Sequence, residues 1–133
     1  MVQSVLIVDD DRELRTIYRT ILERAGFTVY EAGNGADALK FLVNQTPDAL
    51  VIDMLMPLLS GAAVIQRVRQ MPALNKMKLI VLTAYPRFRE SAQQYEADQF
   101  LVKPIKPDDL INAIRAAAPD PAVDETEWRD PEA

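Results

Sequence analysis

The chain has 133 residues, of which 49% are apolar, 26% charged and only 7% aromatic, the profile of one globular domain with an aliphatic core. It contains no cysteine and no histidine, which excludes thiol nucleophiles, disulfides, Cys/His zinc sites and any mechanism with an imidazole base of its own. The net charge of −5 lies entirely beyond Ala118, where Asp120, Asp124, Glu125, Glu127, Asp130 and Glu132 face one base, Arg129, while the body up to Ala118 is neutral.

Val5 to Val8 is a continuous apolar run suited to a strand buried on both faces, ended by three aspartates. It is too short for a signal peptide or a membrane span, so a cytoplasmic protein is expected. Asp11 to Ala25 carries Leu14, Ile17, Tyr18, Ile21, Leu22 and Ala25 at helical spacing, with Gly26 as the C-terminal stop. Thr28 to Ala32 predicts a second strand, Ala36 to Asn44 a helix, and Ala49 to Ile52 a third strand closed by Asp53 and a turn around Pro57. Gly61 to Gln70 predicts a helix, Leu79 to Leu82 a fourth strand, Phe88 to Tyr95 a short helix and Phe100 to Val102 a fifth strand. Pro107 to Ala117 predicts the last helix, with Pro107 in its first turn and Leu110, Ile111 and Ile114 on one face. Residues 1–118 thus read as one domain. Residues 119–133, acidic and with three prolines, read as a disordered tail, in which Trp128 is expected to be idle.

Five strand–helix units with short connections require parallel strands and right-handed crossovers, hence a three-layer α/β domain with helices on both faces. Ligands of such sheets bind beyond the carboxyl ends of the strands, where the strand order reverses. Four of the five strands deliver a polar residue there: Asp9, Asp10 and Asp11 after Val8, Asp53 after Ile52, Thr83 after Leu82 and Lys103 after Val102. Taken singly, Asp11 or Asp10 fits a helix cap, Thr83 a strand end and Lys103 a solvated loop lysine. Together, on one edge, they make a chemical unit. Carboxylates a few ångströms apart repel by roughly 3 kcal/mol per pair at an effective dielectric of about 20, and a hard divalent cation relieves this. Oxygen donors without His or Cys select Mg²⁺ or Mn²⁺ over zinc. A metal on carboxylates, opposite a lysine and a hydroxyl, suits a phosphoryl group, and a carboxylate left to attack phosphorus forms an aspartyl phosphate. The neutral body and acidic tail give no footprint for nucleic acid.

VLIVDDD, VIDMLMPLLSG, VLTA and FLVKPI, in this order, resemble the receiver domain of two-component response regulators over about residues 3 to 118. The most specific part is the Asp-x-x-Met-Pro-x-x-x-Gly run from Asp53 to Gly61, joined to Lys103–Pro104. The resemblance implies a flavodoxin-like fold with strand order 2-1-3-4-5. It implies Asp53 as phosphoacceptor, and Asp9, Asp10, Asp53 and the Leu55 carbonyl as Mg²⁺ ligands, with Asp11 left as the helix cap. Thr83 matches the hydroxyl that turns toward the phosphoryl group, Lys103 the lysine that pairs with it before a cis proline, and Phe100 the switch aromatic.

The function so implied is that of a stand-alone receiver, a phosphoacceptor signalling domain that catalyses only its own phosphorylation and dephosphorylation. The donor is expected to be a histidine kinase or a histidine phosphotransfer protein. Thr83 and Phe100 would then switch a surface that docks an unknown downstream protein. Neither nucleic acid nor membrane is an expected partner, and a monomer or weak dimer through the last two helices is anticipated. Tyr85 and Leu55, two positions past Thr83 and Asp53, are expected to shield the acyl phosphate from water. Thr83 and Lys103 are 20 positions apart, shorter than is usual for the family, and the intervening stretch lacks the usual Gly, so the fourth helix is expected to be short or shifted.

Three other readings compete. Gly33-Asn34-Gly35-Ala36-Asp37-Ala38 fits a dinucleotide-binding G-x-G-x-x-A, but that reading leaves Asp9, Asp10, Thr83 and Lys103 without a role. An aspartyl-nucleophile phosphatase would use Asp9 and Asp11, and would ordinarily carry a substrate-selecting cap for which no insertion is long enough. A docking-only degenerate receiver would not retain the full polar set.

Overall fold

The computed structural model describes residues 3–117, so the acidic tail and Trp128 lie outside the described residues. Five strands alternate with five helices: β1 Ser4–Val8, α1 Arg12–Arg24, β2 Thr28–Ala32, α2 Gly35–Asn44, β3 Ala49–Ile52, α3 Gly61–Arg69, β4 Lys78–Thr83, α4 Arg89–Gln94, β5 Gln99–Val102 and α5 Pro107–Ala117. All strands are parallel, in the order β2-β1-β3-β4-β5. The chain steps from β1 outward to β2, then returns past β1 to β3, so the switch in strand order falls between β1 and β3.

The two-residue alternation of strand side chains divides the core in two. Val5, Ile7, Val51, Ile80 and Leu82 face Tyr18 and Leu22 of α1 and Leu110 and Ile114 of α5. Leu6, Val8, Leu50, Ile52, Leu79 and Val81 face α2, α3 and Ala92 of α4. With both faces covered, Val5–Val8 of β1, all of β3 and Leu79–Leu82 of β4 are apolar, which is why they read as unbroken runs. Burying each such Leu, Ile or Val fully is worth about 2 kcal/mol, and this core holds the strand ends still.

Several helix ends are set by single side chains. Asp11 caps α1, its carboxylate accepting from the N–H groups of Glu13 and Leu14. Asn34 caps α2 by accepting from Asp37 N–H, and Ser60 caps α3 by accepting from Ala63 N–H. Ala25 is the C-cap of α1, with Gly26 one residue beyond at φ 102°.

The strand and helix limits differ from the sequence reading in physically informative places. Thr83 is the last residue of β4 and fully buried, not a residue beyond the strand. Its β-branched side chain suits a pleated, covered position as well as any aliphatic neighbour. α2 starts one residue earlier, at Gly35. The fourth helix is indeed short, six residues, because Pro86 first forms a 3₁₀ turn over Pro86–Phe88. β5, at the edge beside this short helix, is half-buried along its whole length.

Two glycines mark close approaches. A Cβ on Gly61 would fall 2.0 Å from the carbonyl oxygen of Asp53, so only glycine lets α3 start against the loop that follows β3. A Cβ on Gly35 would fall 2.9 Å from the Leu59 side chain and carbonyl. The space over Gly33 is taken by the Arg15 guanidinium, 3.3 Å from where a Cβ would be. The G-x-G turn is therefore packed against Arg15 and Leu59 at its two glycines.

Candidate functional site

The carboxyl ends of β1, β3, β4 and β5 converge on an open cleft of about 540 Å³, with Asp9, Asp10, Asp53 and Lys103 lining it and Leu55 and Tyr85 at its mouth. Asp9 and Asp53 are buried and Asp10 is exposed. Their carboxylates can place one oxygen each within 4.8 Å of the others.

Backbone geometry fixes these groups. Asp9 N–H donates to the Ala32 carbonyl at 3.2 Å and Asp53 N–H to the Val8 carbonyl at 3.1 Å, extending the parallel ladder by one step into each loop. Asp9 Oδ1 accepts from Asp11 N–H at 2.9 Å, and Asp53 Oδ1 accepts from Leu55 N–H at 3.1 Å. Each loop thus closes on its own carboxylate two residues back, the Asx arrangement that Asp favours in turns. The other oxygens face a shared cation: Lys103 Nζ lies 2.6 Å from Asp9 Oδ2 and 2.9 Å from Asp53 Oδ2.

Burial alone would lower the pKa of Lys103, but its hydrogen bonds to Asp9 and Asp53 hold it raised above the ordinary lysine value. The lysine is therefore a fixed positive charge at neutral pH. Lys103 N–H also donates to the Thr83 carbonyl at 2.8 Å, and the Lys103–Pro104 peptide is cis.

Thr83 Oγ1 accepts from Tyr85 N–H at 3.4 Å. Phe100 pairs in register with Val81, and Thr83 with Val102, so Thr83 and Phe100 lie on the same face of adjacent strands, one step apart on the pleat. The Phe100 ring is half-buried under the Arg89 guanidinium, 4.7 Å from its centroid. Asp11, which caps α1, is committed to Glu13 and Leu14 N–H, which counts against a nucleophile–acid pair made of Asp9 and Asp11.

The donor set fits a hard divalent cation. Asp9, Asp10 and Asp53 offer oxygen only, converge from two loops, and carry three negative charges against one lysine. Sequence reasoning missed two residues that build this arrangement, Arg15 and Glu31. Arg15 Nη1 donates to the Asp9 carbonyl at 2.7 Å while its Nε donates to Glu31 at 2.8 Å. In sequence, an Arg on an amphipathic helix looks like any solvated side chain; the one signal was its place six residues after Asp9, in the first turn of α1.

Residues 5–115 match the response regulator receiver domain, and the chain belongs to that family. It is 36% identical to the response regulator MprA of Mycobacterium ulcerans over 114 residues, 84% of this chain and 48% of that protein. The chain thus spans about half the length of that curated relative. Among solved structures it resembles the chemotaxis protein CheY4 of Vibrio cholerae, with a TM-score of 0.82 and 26% identity over 89% of this chain and 100% of that one. It also resembles the Thermotoga maritima response regulator TrrA, solved with Mg²⁺ and BeF, with a TM-score of 0.79 and 29% identity over 87% and 99% of the two chains. The architecture is accordingly the CheY-like, flavodoxin-like fold. Response regulators of this family receive phosphoryl groups from histidine kinases. Among the described residues, no helix is long and apolar enough to cross a membrane.

Proposed function

We propose that Asp53 accepts a phosphoryl group from a phosphohistidine on a kinase or a histidine phosphotransfer protein, and that the resulting charge resets a protein-docking surface. The observation that carries this reading is the grouping of the buried Asp53 carboxylate with Asp9, Asp10 and the Lys103 ammonium at the switch in strand order. The chain has no histidine, so the phosphohistidine is supplied from outside these 133 residues.

An Asp53 carboxylate oxygen attacks phosphorus as the phosphorus–nitrogen bond of the donor breaks. The imidazole departs with that electron pair and takes up a proton. Lys103, already 2.9 Å from Asp53, offsets charge on the phosphoryl oxygens. Asp9, Asp10, Asp53 and the Leu55 carbonyl would hold Mg²⁺, which when bound would supply further positive charge to those oxygens. Thr83 then turns its hydroxyl to the phosphoryl group, and Phe100 moves into the space vacated on the same face, altering the surface of α4, β5 and α5. This is a shift between two states set by a local change in charge. The domain catalyses only its own phosphorylation and dephosphorylation.

Tyr85 and Leu55, both partly exposed at the mouth, limit the approach of water to the acyl phosphate. The family match over residues 5–115 supports a receiver unit of residues 1–118, with the acidic residues of the sequence beyond it. A cytoplasmic location is in keeping with a kinase as donor.

Incubation with acetyl phosphate and Mg²⁺ should add one phosphoryl group by intact mass. The gain should vanish with EDTA or in Asp53→Asn. Labelling retained in an equally stable Asp53→Asn protein would overturn the assignment.

A further inference from the structure

Asp9 stands where the ladder between β1 and β2 runs out. Its N–H donates to Ala32, the last residue of β2, after which the chain turns at Gly33 into α2. The Asp9 carbonyl therefore has no strand residue left to pair with, and a carbonyl at such a position requires a donor. Arg15 supplies it. Its Nη1 reaches the carbonyl at 2.7 Å, its Nε is held by Glu31 Oε1 at 2.8 Å, and its guanidinium lies over Gly33 in space that a Cβ would crowd. The guanidinium is largely buried, its position set on three sides.

We propose that Arg15 is a positioning residue for the acidic site: anchored by Glu31, it clamps the main chain of Asp9, and so fixes the direction in which Asp9 and Asp10 present their carboxylates to a divalent cation. This rests on the reading of Asp9, Asp10 and Asp53 as the Mg²⁺ site. Arg19 provides a built-in comparison. It pairs with the same Glu31 at 2.6 Å, and with Glu23 at 3.0 Å, and none of its hydrogen bonds goes to the acidic loop.

Positioning and plain electrostatics predict opposite signs. Arg15 is a cation beside a cluster of acids, so its charge opposes a second cation, and deletion for charge reasons alone would tighten Mg²⁺ binding. Loss of the clamp loosens the loop and weakens binding. Lysine keeps the charge but lacks the rigid fork that bonds Asp9 and Glu31 at once.

The test is a Mg²⁺ titration of the whole chain, followed through the backbone amide shifts of residues 9–11 by NMR, for wild type, Arg15→Ala, Arg15→Lys and Arg19→Ala. The expected result is a dissociation constant about tenfold weaker in Arg15→Ala, the usual order for residues that orient metal ligands. Arg15→Lys should also be weaker than wild type, and Arg19→Ala unchanged. Should Arg15→Ala fail to fold, Arg15→Lys carries the comparison. Binding as tight as wild type or tighter in Arg15→Ala, full rescue by lysine, or an equal loss in Arg19→Ala would each overturn the proposal. Wild type that binds no Mg²⁺ would instead overturn the metal-site reading on which it rests.

Discussion

Glu96 closes α4 in the same way that Gly26 closes α1. After α1, Gly26 N–H donates to Glu23 and Phe27 N–H to Leu22; after α4, Glu96 N–H donates to Gln93 and Ala97 N–H to Ala92, each at 3.0 Å. Both are Schellman caps, which need a left-handed residue just past the helix end. Gly26 meets that need at φ 102° without steric cost, whereas Glu96 adopts φ 61° against the contact between its Cβ and carbonyl. The fifth strand is thus entered through a left-handed turn even without glycine, held by Arg69, which donates to the carbonyls of Tyr95 and Glu96.

Replacing Glu96 by Gly should therefore stabilise the domain by about 0.5–1 kcal/mol, the relief of left-handed strain exceeding glycine's extra unfolded-state entropy. Urea unfolding of the two proteins measures it directly. A lower midpoint in Glu96→Gly would mean that the cap is not strained.

Gly61→Ala should have the opposite effect. The added methyl would meet the Asp53 carbonyl oxygen and Met54 Cα, both backbone atoms that cannot rotate away. A loss of about 2–3 kcal/mol is expected, together with slower labelling by acetyl phosphate, because relief of the contact displaces the loop that carries Asp53. Unchanged stability and labelling would show that α3 can retreat as a body.

Lys103→Ala leaves Asp9 and Asp53 buried without their shared cation. Breaking such a pair costs about 3 kcal/mol, and a bound divalent ion can replace the missing charge. Thermal unfolding should therefore show a large drop in Tm without metal and partial recovery with millimolar Mg²⁺, beyond any effect on wild type. The pairing also carries a pH signature. Because folding raises the pKa of Lys103, its contribution is fully present below the ordinary lysine value and is lost as pH rises beyond about 10.5.

Glu31 behaves in the mirror sense. Hydrogen bonds from Arg19 and Arg15 lower its pKa against the effect of burial. Its contribution is present above the unfolded value and is lost as pH falls below about 4.5. Acid unfolding followed by circular dichroism should show a shallower loss of stability over that range in Glu31→Gln than in wild type; parallel curves would remove Glu31 from the acid response.

What could be read from the chain follows from which interactions are local. Val5–Val8 and Ala49–Ile52 announce buried strands because both of their faces are covered, and Asp9 and Asp53 gain meaning from standing directly after them. Asp11 as a cap is legible for the same reason, since its partners are two and three residues away. The bond from Arg15 to Glu31, which anchors the guanidinium, depends on how α1 lies against β2, and no local pattern encodes it. Thr83 reads as a strand end because hydroxyl residues often are, whereas its burial depends on β5 lying alongside. The helix after Tyr85 is shortened by the Pro86 turn, which the spacing from Thr83 to Lys103 hints at and the positive φ at Glu96 completes.

The reach of Lys103 has a mechanical side. From the end of the outermost strand, one side chain passes over β4 to grip residues at the ends of β3 and β1. It acts as a guy-rope across the rim of the sheet, and of its three N–H groups two are already taut. An anion placed on Asp53 would have to share that rope or claim its slack strand, so a new charge at the centre of the sheet would be felt at its margin through a single side chain.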